Sequence, residues 1–212
     1  MGPSLSVEST WWREGYRLVA GVDEAGRGAL FGPVVAAAVI LPPDIDLGCL
    51  PRLADSKLIG PQVRAELLDI IANEAVAIGV AAASAAIVDQ IGIQKANSLA
   101  MQRALENLSP APEIVLIDGL GPGPASHRVC AMIGADRLCA SVSAASIVAK
   151  VTRDRLVTEL AQVFPGYGLD RHKGYGTTAH LQCLATLGPT PLHRFSFSPV
   201  AAAAAGHRRR EG

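Results

Sequence analysis

The segment Arg17–Leu41, RLVAGVDEAGRGALFGPVVAAAVIL, decides the fold. Within it, the two apolar runs Arg17–Asp23 and Pro33–Leu41 have the length and composition of β-strands. The link between them is short and rich in glycine, so we expect the two strands to pair in antiparallel fashion. The first strand ends in an acidic pair, Asp23 and Glu24, which is costly to bury in an apolar strand without a partner.

The rest of the chain alternates between helical and strand-like patterns. In order, these patterns predict a helix at Gln62–Glu74, a strand at Ala75–Ala83, one or two helices within Ser84–Leu108, strands at Glu113–Asp118 and Arg128–Ile133, and helices at Ala140–Phe164 and Thr177–Leu187. Together the elements predict an α/β fold with a mixed five-stranded sheet flanked by helices. We expect a loosely held lead-in at residues 1–16, one domain at 17–200 and a disordered tail at 201–212.

The composition restricts the class of protein. The chain has 212 residues, half of them hydrophobic, which suffices for one domain with a large core. It lacks an apolar run of about 18 residues and a signal-peptide pattern, so we expect a cytoplasmic protein without a membrane segment. The four cysteines have no CxxC spacing and are expected to be reduced thiols. The formal net charge of zero argues against nonspecific coating of nucleic acid, but a local basic groove stays possible.

Four acidic residues lie at the ends of successive elements: Asp23, Glu24, Asp118 and Asp136. Ligand sites gather at strand ends in α/β sheets, and clustered carboxylates repel one another unless a hard cation such as Mg²⁺ or Mn²⁺ is bound. Two such ions about 4 Å apart can activate a water molecule and stabilise the leaving oxygen of a phosphodiester. Each acid alone could be an ordinary turn or capping residue. Four at the ends of one sheet favour a metal-dependent site.

The same segments resemble the ribonuclease HII family. The first motif contains DEAGRG at Asp23–Gly28, and the resemblance continues through DSK at Asp55–Lys57, LIDG at Leu116–Gly119, SAASIVAKVTRDR at Ser143–Arg155, FPGYG at Phe164–Gly168, HKGYGT at His172–Thr177 and HRFSF at His193–Phe197. It covers roughly residues 17 to 200 and departs at Phe195, where a second arginine is common. It implies a ribonuclease H-like catalytic domain with a helical C-terminal extension. It further implies an endonuclease that hydrolyses the RNA strand of RNA/DNA hybrids and cuts 5′ of ribonucleotides embedded in duplex DNA, by two-metal-ion catalysis.

The resemblance also implies which residues form the site. The residues that match its catalytic, metal-binding carboxylates, which would hold Mn²⁺ or Mg²⁺, are Asp23, Glu24, Asp118 and Asp136. The residues that match its substrate-binding positions, or share its motifs and carry positive charge, are Gly26, Arg27, Gly28, Lys57, Lys150, Lys173 and Tyr175. The glycine–arginine–glycine tripeptide would recognise a ribose 2′-hydroxyl, and the tyrosine would pack on the neighbouring deoxyribose. The expected partners are RNA/DNA hybrid and ribonucleotide-containing DNA duplex, and we expect a monomer.

Simpler interpretations stay open for several of these residues. The glycine-rich link could be a plain hairpin loop, and Lys150 with Asp154 could be a solvated ion pair. Tyr175 could be an ordinary loop tyrosine, while His172 is expected to orient its loop rather than act as a general base. Two rival functions also stay open. A DNA-only nuclease would use the same acids without needing the tripeptide and Tyr175, and a non-catalytic nucleic-acid-binding module would use them as turn caps.

Overall fold

One mixed sheet forms the centre of the protein. The computed structural model describes residues 2–50, 53, 59–118 and 128–211, with side chains as far as His207. The strands are β1 Val19–Ala25, β2 Val34–Ile40, β3 Ala77–Ala83, β4 Ile114–Asp118 and β5 Arg128–Met132. Their order is β3-β2-β1-β4-β5, with β1 antiparallel to β2 and parallel to β4. The expected mixed five-stranded sheet and the antiparallel first pair are therefore confirmed.

Helices cover both faces of the sheet and form the C-terminal part. Those in the described residues are α1 Ser6–Arg13, α2 Pro61–Glu74, α3 Ala85–Ile91, α4 Ile93–Glu106, α5 Ala135–Leu138, α6 Ala140–Val163, α7 Leu169–His172, α8 Thr178–Leu187 and α9 Ser198–Glu211, with a 3₁₀ turn at Leu47–Cys49. Within the described part of the chain, none of these helices has the length and apolar character needed to cross a membrane.

The strand β2 is apolar throughout because both of its faces are covered. Ala36 and Ala38 contribute to a core cluster with α4, whereas Ala37 and Val39 contribute to a second cluster with α6. Every residue of β2 is buried. Such a strand shows a continuous hydrophobic run instead of the alternation typical of a half-exposed strand. The sheet is therefore the middle layer of three.

The helix α6 lies directly against β1 because Gly21 leaves room for its backbone. A Cβ at Gly21 would come within 2.2 Å of the carbonyl carbon of Ser141 and the nitrogen of Val142. No side chain fits there without separating the helix from the strand. The close approach brings the middle of α6, with Ser146 and Lys150, to the end of β1 that carries the acidic pair.

Both ends of the chain are more structured than we expected. In place of a loose lead-in over 1–16, α1 packs on the sheet, with Glu8 fully buried and Trp12 9% exposed. In place of a disordered tail from residue 201, α9 continues to Glu211. Its five consecutive alanines have the highest helix propensity, and Val200 and Ala204 are buried against the C-terminal helices.

Candidate active site

Strand pairing brings three of the four expected acids to one edge of the sheet. β1 and β4 run parallel with Val22 opposite Ile117, so the next residue of each strand, Asp23 and Asp118, reaches the same edge. Glu24 follows on β1. These three carboxylates line a single cavity of about 370 Å³. The strand-end argument from the sequence therefore holds for Asp23, Glu24 and Asp118.

Burial and mutual repulsion make Asp23 and Glu24 hard to ionise. Burial first, and then the charges of Glu24 and Asp118, raise the pKa of Asp23 to about 7, although hydrogen bonds from Ser146 and the Glu24 backbone oppose this. The Glu24 N–H donates to Asp23 Oδ1 at 2.8 Å. Burial also raises the pKa of Glu24, against a hydrogen bond from Asn97. A cation among these groups would reverse the effect by favouring their charged forms.

The two later acids meet at the start of α5. Asp118 Oδ1 accepts hydrogen bonds from the backbone N–H groups of Gly134 at 2.7 Å and Ala135 at 3.2 Å. Asp136 is the next residue and is 5% exposed. Asp136 is not among the side chains that line the cavity shared by the other three. The structure therefore places it beside the site, directly after the backbone N–H groups that hold Asp118.

The donor set has the chemistry of a site for a hard divalent cation. Carboxylate oxygens are the ligands that Mg²⁺ and Mn²⁺ favour, and Ser146 adds a hydroxyl to the cavity. In the described residues, no group of three or more His, Cys, Asp or Glu side chains converges closely enough to hold an ion alone. Mg²⁺ is commonly bound by one or two carboxylates together with water and substrate phosphate, so the acids fit a site that substrate completes.

The glycine–arginine–glycine loop forms one wall of the cavity, and its two glycines have different surroundings. Gly26 is buried at φ +87°, and a Cβ there would lie 1.8 Å from Arg153 Nε. Gly28 is exposed, and a Cβ there would meet nothing within 4 Å. Arg27 extends into solvent with Nη1 3.7 Å from Glu24 Oε1. The protein's own packing thus requires a glycine at position 26, while position 28 is open towards any ligand.

Tyr175 lines the same cavity and has two cationic neighbours. The Lys150 Nζ atom lies 5.4 Å from the centroid of its ring, and the Arg153 guanidinium carbon lies 5.2 Å away. Lys150 also pairs with Asp154 at 2.9 Å, but the pair is partly buried and not the solvated pair of the simpler interpretation, and Lys150 lines the cavity. A β-bridge joins Tyr175 to Ala29, which connects the tyrosine loop to the glycine-rich loop.

Two expected substrate contacts remain, Lys173 and Lys57. Lys173 does not line the cavity; its Nζ donates to Thr158 Oγ1 at 2.6 Å and to the Asp170 carbonyl. Its backbone adopts the left-handed region at φ 51° and its carbonyl accepts from Arg153. Lys57 falls outside the described residues.

Two fully buried arginines that the sequence analysis did not assign to the site hold both loops. Arg153 donates to the carbonyls of Pro33, Phe31 and Lys173, each at 3.0 Å. Arg194 donates to the carbonyls of Gly32 at 3.0 Å and Arg27 at 2.9 Å. A buried arginine in the KVTRDR and HRFSF segments cannot be distinguished from a surface arginine by local pattern, because its partners around the glycine-rich loop lie more than 100 residues away.

Two smaller polar residues were also missed. Ser146 and Asn97 each donate a hydrogen bond to one of the acids, the first to Asp23 and the second to Glu24. Both are at most 9% exposed. The sequence does contain a signal for Asn97, because a polar residue on the otherwise apolar inner face of α4 indicates a buried polar contact. Ser146 belongs to a small-residue run that gives no such contrast.

Comparison with known proteins agrees with this geometry. The ribonuclease HII family model matches residues 20–200. The ribonuclease HII of Geobacter sulfurreducens is 48% identical over 193 residues, which cover 91% of this chain and 88% of that one. The ribonuclease H2 crystal structure from Pyrococcus horikoshii superposes with a TM-score of 0.75 at 25% identity, covering 92% and 99% of the two chains.

A more distant structure shares the fold. Bst-RNase HIII, crystallised in complex with Mn²⁺, superposes with a TM-score of 0.69 at 19% identity, covering 92% of this chain and 71% of that one. The ribonuclease H-like fold expected from the sequence is thus confirmed. The extent of the family match, together with the carboxylates at the ends of β1 and β4, shows that this chain belongs to the ribonuclease HII family of ribonuclease H enzymes, endonucleases that degrade RNA in RNA/DNA hybrids.

Proposed function

We propose that this enzyme cuts on the 5′ side of a ribonucleotide that is embedded in or joined to duplex DNA, with two divalent ions, Mg²⁺ or Mn²⁺, as cofactors. The observation that carries the proposal is one cavity lined by carboxylates on one side and by both the glycine–arginine–glycine loop and Tyr175 on the other. An acid cluster alone would serve any phosphodiester. The two added walls supply groups suited to a sugar.

The acids are proposed to do the work at the phosphate. Asp23, Glu24 and Asp118 would hold the ions, and Asp136 would complete their surroundings from the start of α5. When bound, the ions supply Lewis-acid stabilisation of the phosphodiester charge and an activated water. Hydrogen bonds from the backbone at Gly134 to Asp118 keep that carboxylate in place before substrate arrives. The expected products are a 3′-hydroxyl and a 5′-phosphate.

The two loops are proposed to read the sugars. A 2′-hydroxyl can donate and accept a hydrogen bond, and backbone can approach it closely at Gly28, where no Cβ intervenes. Arg27, half exposed at the cavity edge, is suited to contact a phosphate. The ring of Tyr175 would pack on the next sugar and leave no room for a second hydroxyl. The pair would thus detect a hydroxyl on one nucleotide and its absence on the next.

The phosphate contacts of Lys150, Lys173 and Lys57 belong to the same proposal. Lys150 lies beside the Tyr175 ring and is 31% exposed, so it can exchange Asp154 for a phosphate at modest cost. Lys173 must give up its hydrogen bonds to Thr158 and Asp170 before it can reach a backbone phosphate. We therefore rank Lys150 above Lys173 as a substrate contact.

Cleavage of matched duplexes that carry zero, one or four ribonucleotides tests the proposal. We expect no cleavage of the all-DNA duplex, and cleavage 5′ of the single ribonucleotide. Tyr175→Ala should lower kcat/KM more on the single embedded ribonucleotide than on a continuous hybrid, while Tyr175→Phe should retain most of the packing. Equal losses on both substrates, or sparing of the embedded ribonucleotide, would remove the junction-reading role. Cleavage of the all-DNA duplex would favour the DNA-only nuclease instead.

A further inference from the structure

Three histidines lie close to the Tyr175 loop, two of them joined by a hydrogen bond and the third stacked on one of these. His180 Nε2 lies 3.1 Å from His193 Nε2, and both residues are fully buried. His180 Nδ1 lies 3.0 Å from the Tyr175 carbonyl oxygen. His172 stacks on His180 with ring centroids 4.5 Å apart. The loop that carries the proposed sugar-reading tyrosine therefore rests on imidazole rings.

The partners of each ring determine where its protons lie. The Thr190 N–H donates to His193 Nδ1 at 2.9 Å, so that nitrogen is an acceptor and the proton of a neutral His193 is on Nε2. A carbonyl oxygen can only accept, so His180 Nδ1 carries a proton that it donates to Tyr175. His180 Nε2 is then an acceptor, which matches the donating Nε2–H of His193. Every hydrogen bond in this chain points the same way, from Thr190 to Tyr175.

The proton position of the third ring, His172, follows from the same reasoning. The Gly174 N–H donates to His172 Nδ1 at 3.2 Å, and His172 Nε2 lies 2.8 Å from the Tyr167 carbonyl oxygen, to which it donates. The ring of His172 is therefore held with its proton on Nε2, between the backbone at Tyr167 and at Gly174. It holds the backbone at Gly174, while His180 holds the next residue.

We propose that His180 and His193 are positioning residues for substrate recognition: their one-way hydrogen-bonded chain fixes the Tyr175 backbone, and with it the ring that faces the cavity. The inference rests on the proposed function, because it deepens the role given to Tyr175. The β-bridge from Phe31 to His193 ties the same chain to the segment that follows the glycine-rich loop. One chain of contacts thus sets the distance between the two sugar-reading walls.

All four ring nitrogens of His180 and His193 are engaged in hydrogen bonds, so neither ring has a free nitrogen that could take up an extra proton. Adding one to either ring makes both facing Nε2 atoms donors, or sets a second donor against the Thr190 N–H. Burial, with the neighbouring imidazole, lowers the pKa of His193 to about 4 and lowers that of His180 as well. The titratable groups that face the pair are His172 and the Tyr167 ring, 5.3 Å from His193, while the adjacent Arg194 points to other carbonyls. The pair is therefore neutral during catalysis near pH 7.

Long-range ¹H–¹⁵N correlation spectra of the labelled enzyme test the proton positions without using activity. We expect His193 as the Nε2–H tautomer and His180 as the Nδ1–H tautomer, both neutral at pH 7. A charged ring at pH 7, or His180 with its proton on Nε2, would overturn the inference. Because this measurement uses the wild-type enzyme, it does not depend on whether a variant folds.

Two substitutions test the positioning role. His193→Gln keeps an N–H that can donate to His180, whereas His193→Leu removes it at similar volume, and His207→Gln on α9 is the control. The measured quantity is the ratio of kcat/KM on a single embedded ribonucleotide to kcat/KM on a continuous hybrid. Loss of one buried hydrogen bond predicts that this ratio falls about tenfold in the Leu variant only. Amide exchange at Tyr175 should accelerate in the same variant.

The outcomes separate this inference from the proposed function. If Tyr175→Ala changes the substrate ratio but His193→Leu changes neither the ratio nor the amide exchange at Tyr175, the positioning role is wrong and the junction-reading proposal stands. If Tyr175→Ala leaves the ratio unchanged, the junction-reading proposal fails. The tautomers and the exchange rate then still decide whether the histidine chain holds the loop. Equal behaviour of the Gln and Leu variants would also overturn the role assigned to the donated hydrogen bond.

Discussion

At the scale of single residues, the end of β1 concentrates unfavourable charge. Asp23 is 8% exposed and has two carboxylate neighbours, Glu24 and Asp118, which burial prevents water from shielding. The residues that hydrogen-bond to these acids reduce this cost without removing it. Without bound metal, the site therefore lowers the free energy of unfolding of the protein.

Asp118→Asn tests this balance. The amide oxygen can still accept from Gly134 and Ala135, so we expect the fold to survive. Without metal, the melting temperature should stay level or rise, because one repulsive charge is gone. Turnover should fall roughly a thousandfold or more, since several kcal/mol of charge stabilisation are lost with a metal ligand. Thermal melting in EDTA checks the stability, and kcat in Mn²⁺ or Mg²⁺ checks the turnover. Asp69→Asn, on the exposed face of α2, is the control. Near-normal turnover of Asp118→Asn would remove this residue from the site.

The two glycines of the recognition loop should respond differently to alanine. Gly26→Ala should lower the free energy of unfolding by about 2 kcal/mol or more, because it combines a left-handed φ with a collision against buried Arg153. Gly28→Ala should change stability by less than about 0.5 kcal/mol, since nothing in the protein occupies that space. Urea unfolding measures both. If Gly28→Ala is stable and still cleaves a single ribonucleotide at the wild-type rate, backbone approach at this position is not needed.

The acids could be found from the sequence, whereas the residues that hold the loops could not. Asp23 and Asp118 each end an apolar run, and strand ends in such sheets are where ligands bind, so their positions made them candidates. The family resemblance then implied their metal-binding role, which stays a prediction. Gly26 was assigned only to ligand approach. Its second role depends on Arg153, and no pattern within either segment reveals that contact.

At the scale of elements, α1 shows what local pattern cannot predict. Its eight residues are too few to form a stable isolated helix, so the sequence indicated a loose lead-in. The helix is stabilised by a distant contact: Glu8 Oε1 accepts from both the backbone N–H and the hydroxyl of Ser141, at the start of α6. The long helix α6 and the strand β2 were predictable because their own apolar patterns span the whole element.

Glu8→Gln gives a pH-dependent test of this docking. Burial raises the pKa of Glu8, so the folded protein holds a proton there more tightly than the unfolded chain does. The contribution of Glu8 to stability is then fully present below its unfolded pKa of about 4.5 and is lost as pH rises through the folded value. Relative to wild type, Glu8→Gln should become progressively more stable as pH rises above about 4.5 and through the folded pKa of Glu8.

Urea unfolding of wild type and variant across this pH range isolates Glu8, because all other groups titrate in both proteins. Glu8→Ala is the matched variant that cannot accept from Ser141, and it should be about 1 to 3 kcal/mol less stable than Glu8→Gln at every pH, because neither variant titrates at this position. A stability difference between wild type and Glu8→Gln that does not depend on pH would contradict a buried ionisable Glu8.

At the scale of the whole molecule, zero net charge limits how the enzyme can bind a polyanion. Affinity has to come from a few cations near the site instead of a broad basic surface. Arg27 and Lys150 line the cavity, Lys173 is nearby, and Lys57 is expected to join them. That the protein acts as a monomer also stays a prediction.

Four such contacts predict a modest salt dependence. The slope of log Kd against log salt should be about 4, at roughly 0.9 per phosphate contact, compared with about 10 for a large basic DNA-binding protein. Binding of Asp118→Asn to a duplex with one ribonucleotide allows the measurement without cleavage. Adding Arg27→Ala should lower the slope by about 1, whereas Arg103→Ala on α4, across the sheet from α6, should leave it unchanged. A slope near 10 would show that a far larger surface takes part.

The parallel pairing of β1 with β4 has a consequence for synthesis on the ribosome. β4 is translated about 95 residues after β1, which takes about 5 to 20 s at about 5 to 20 residues per second. During that interval β1, β2 and β3 can already form a meander, with the far edge of β1 lacking its partner. Unpaired edges invite association with other nascent chains, and charges at an edge oppose it. Asp23 and Glu24 stand at the end of that open edge, so the repulsion that destabilises the finished apo site also protects the growing chain.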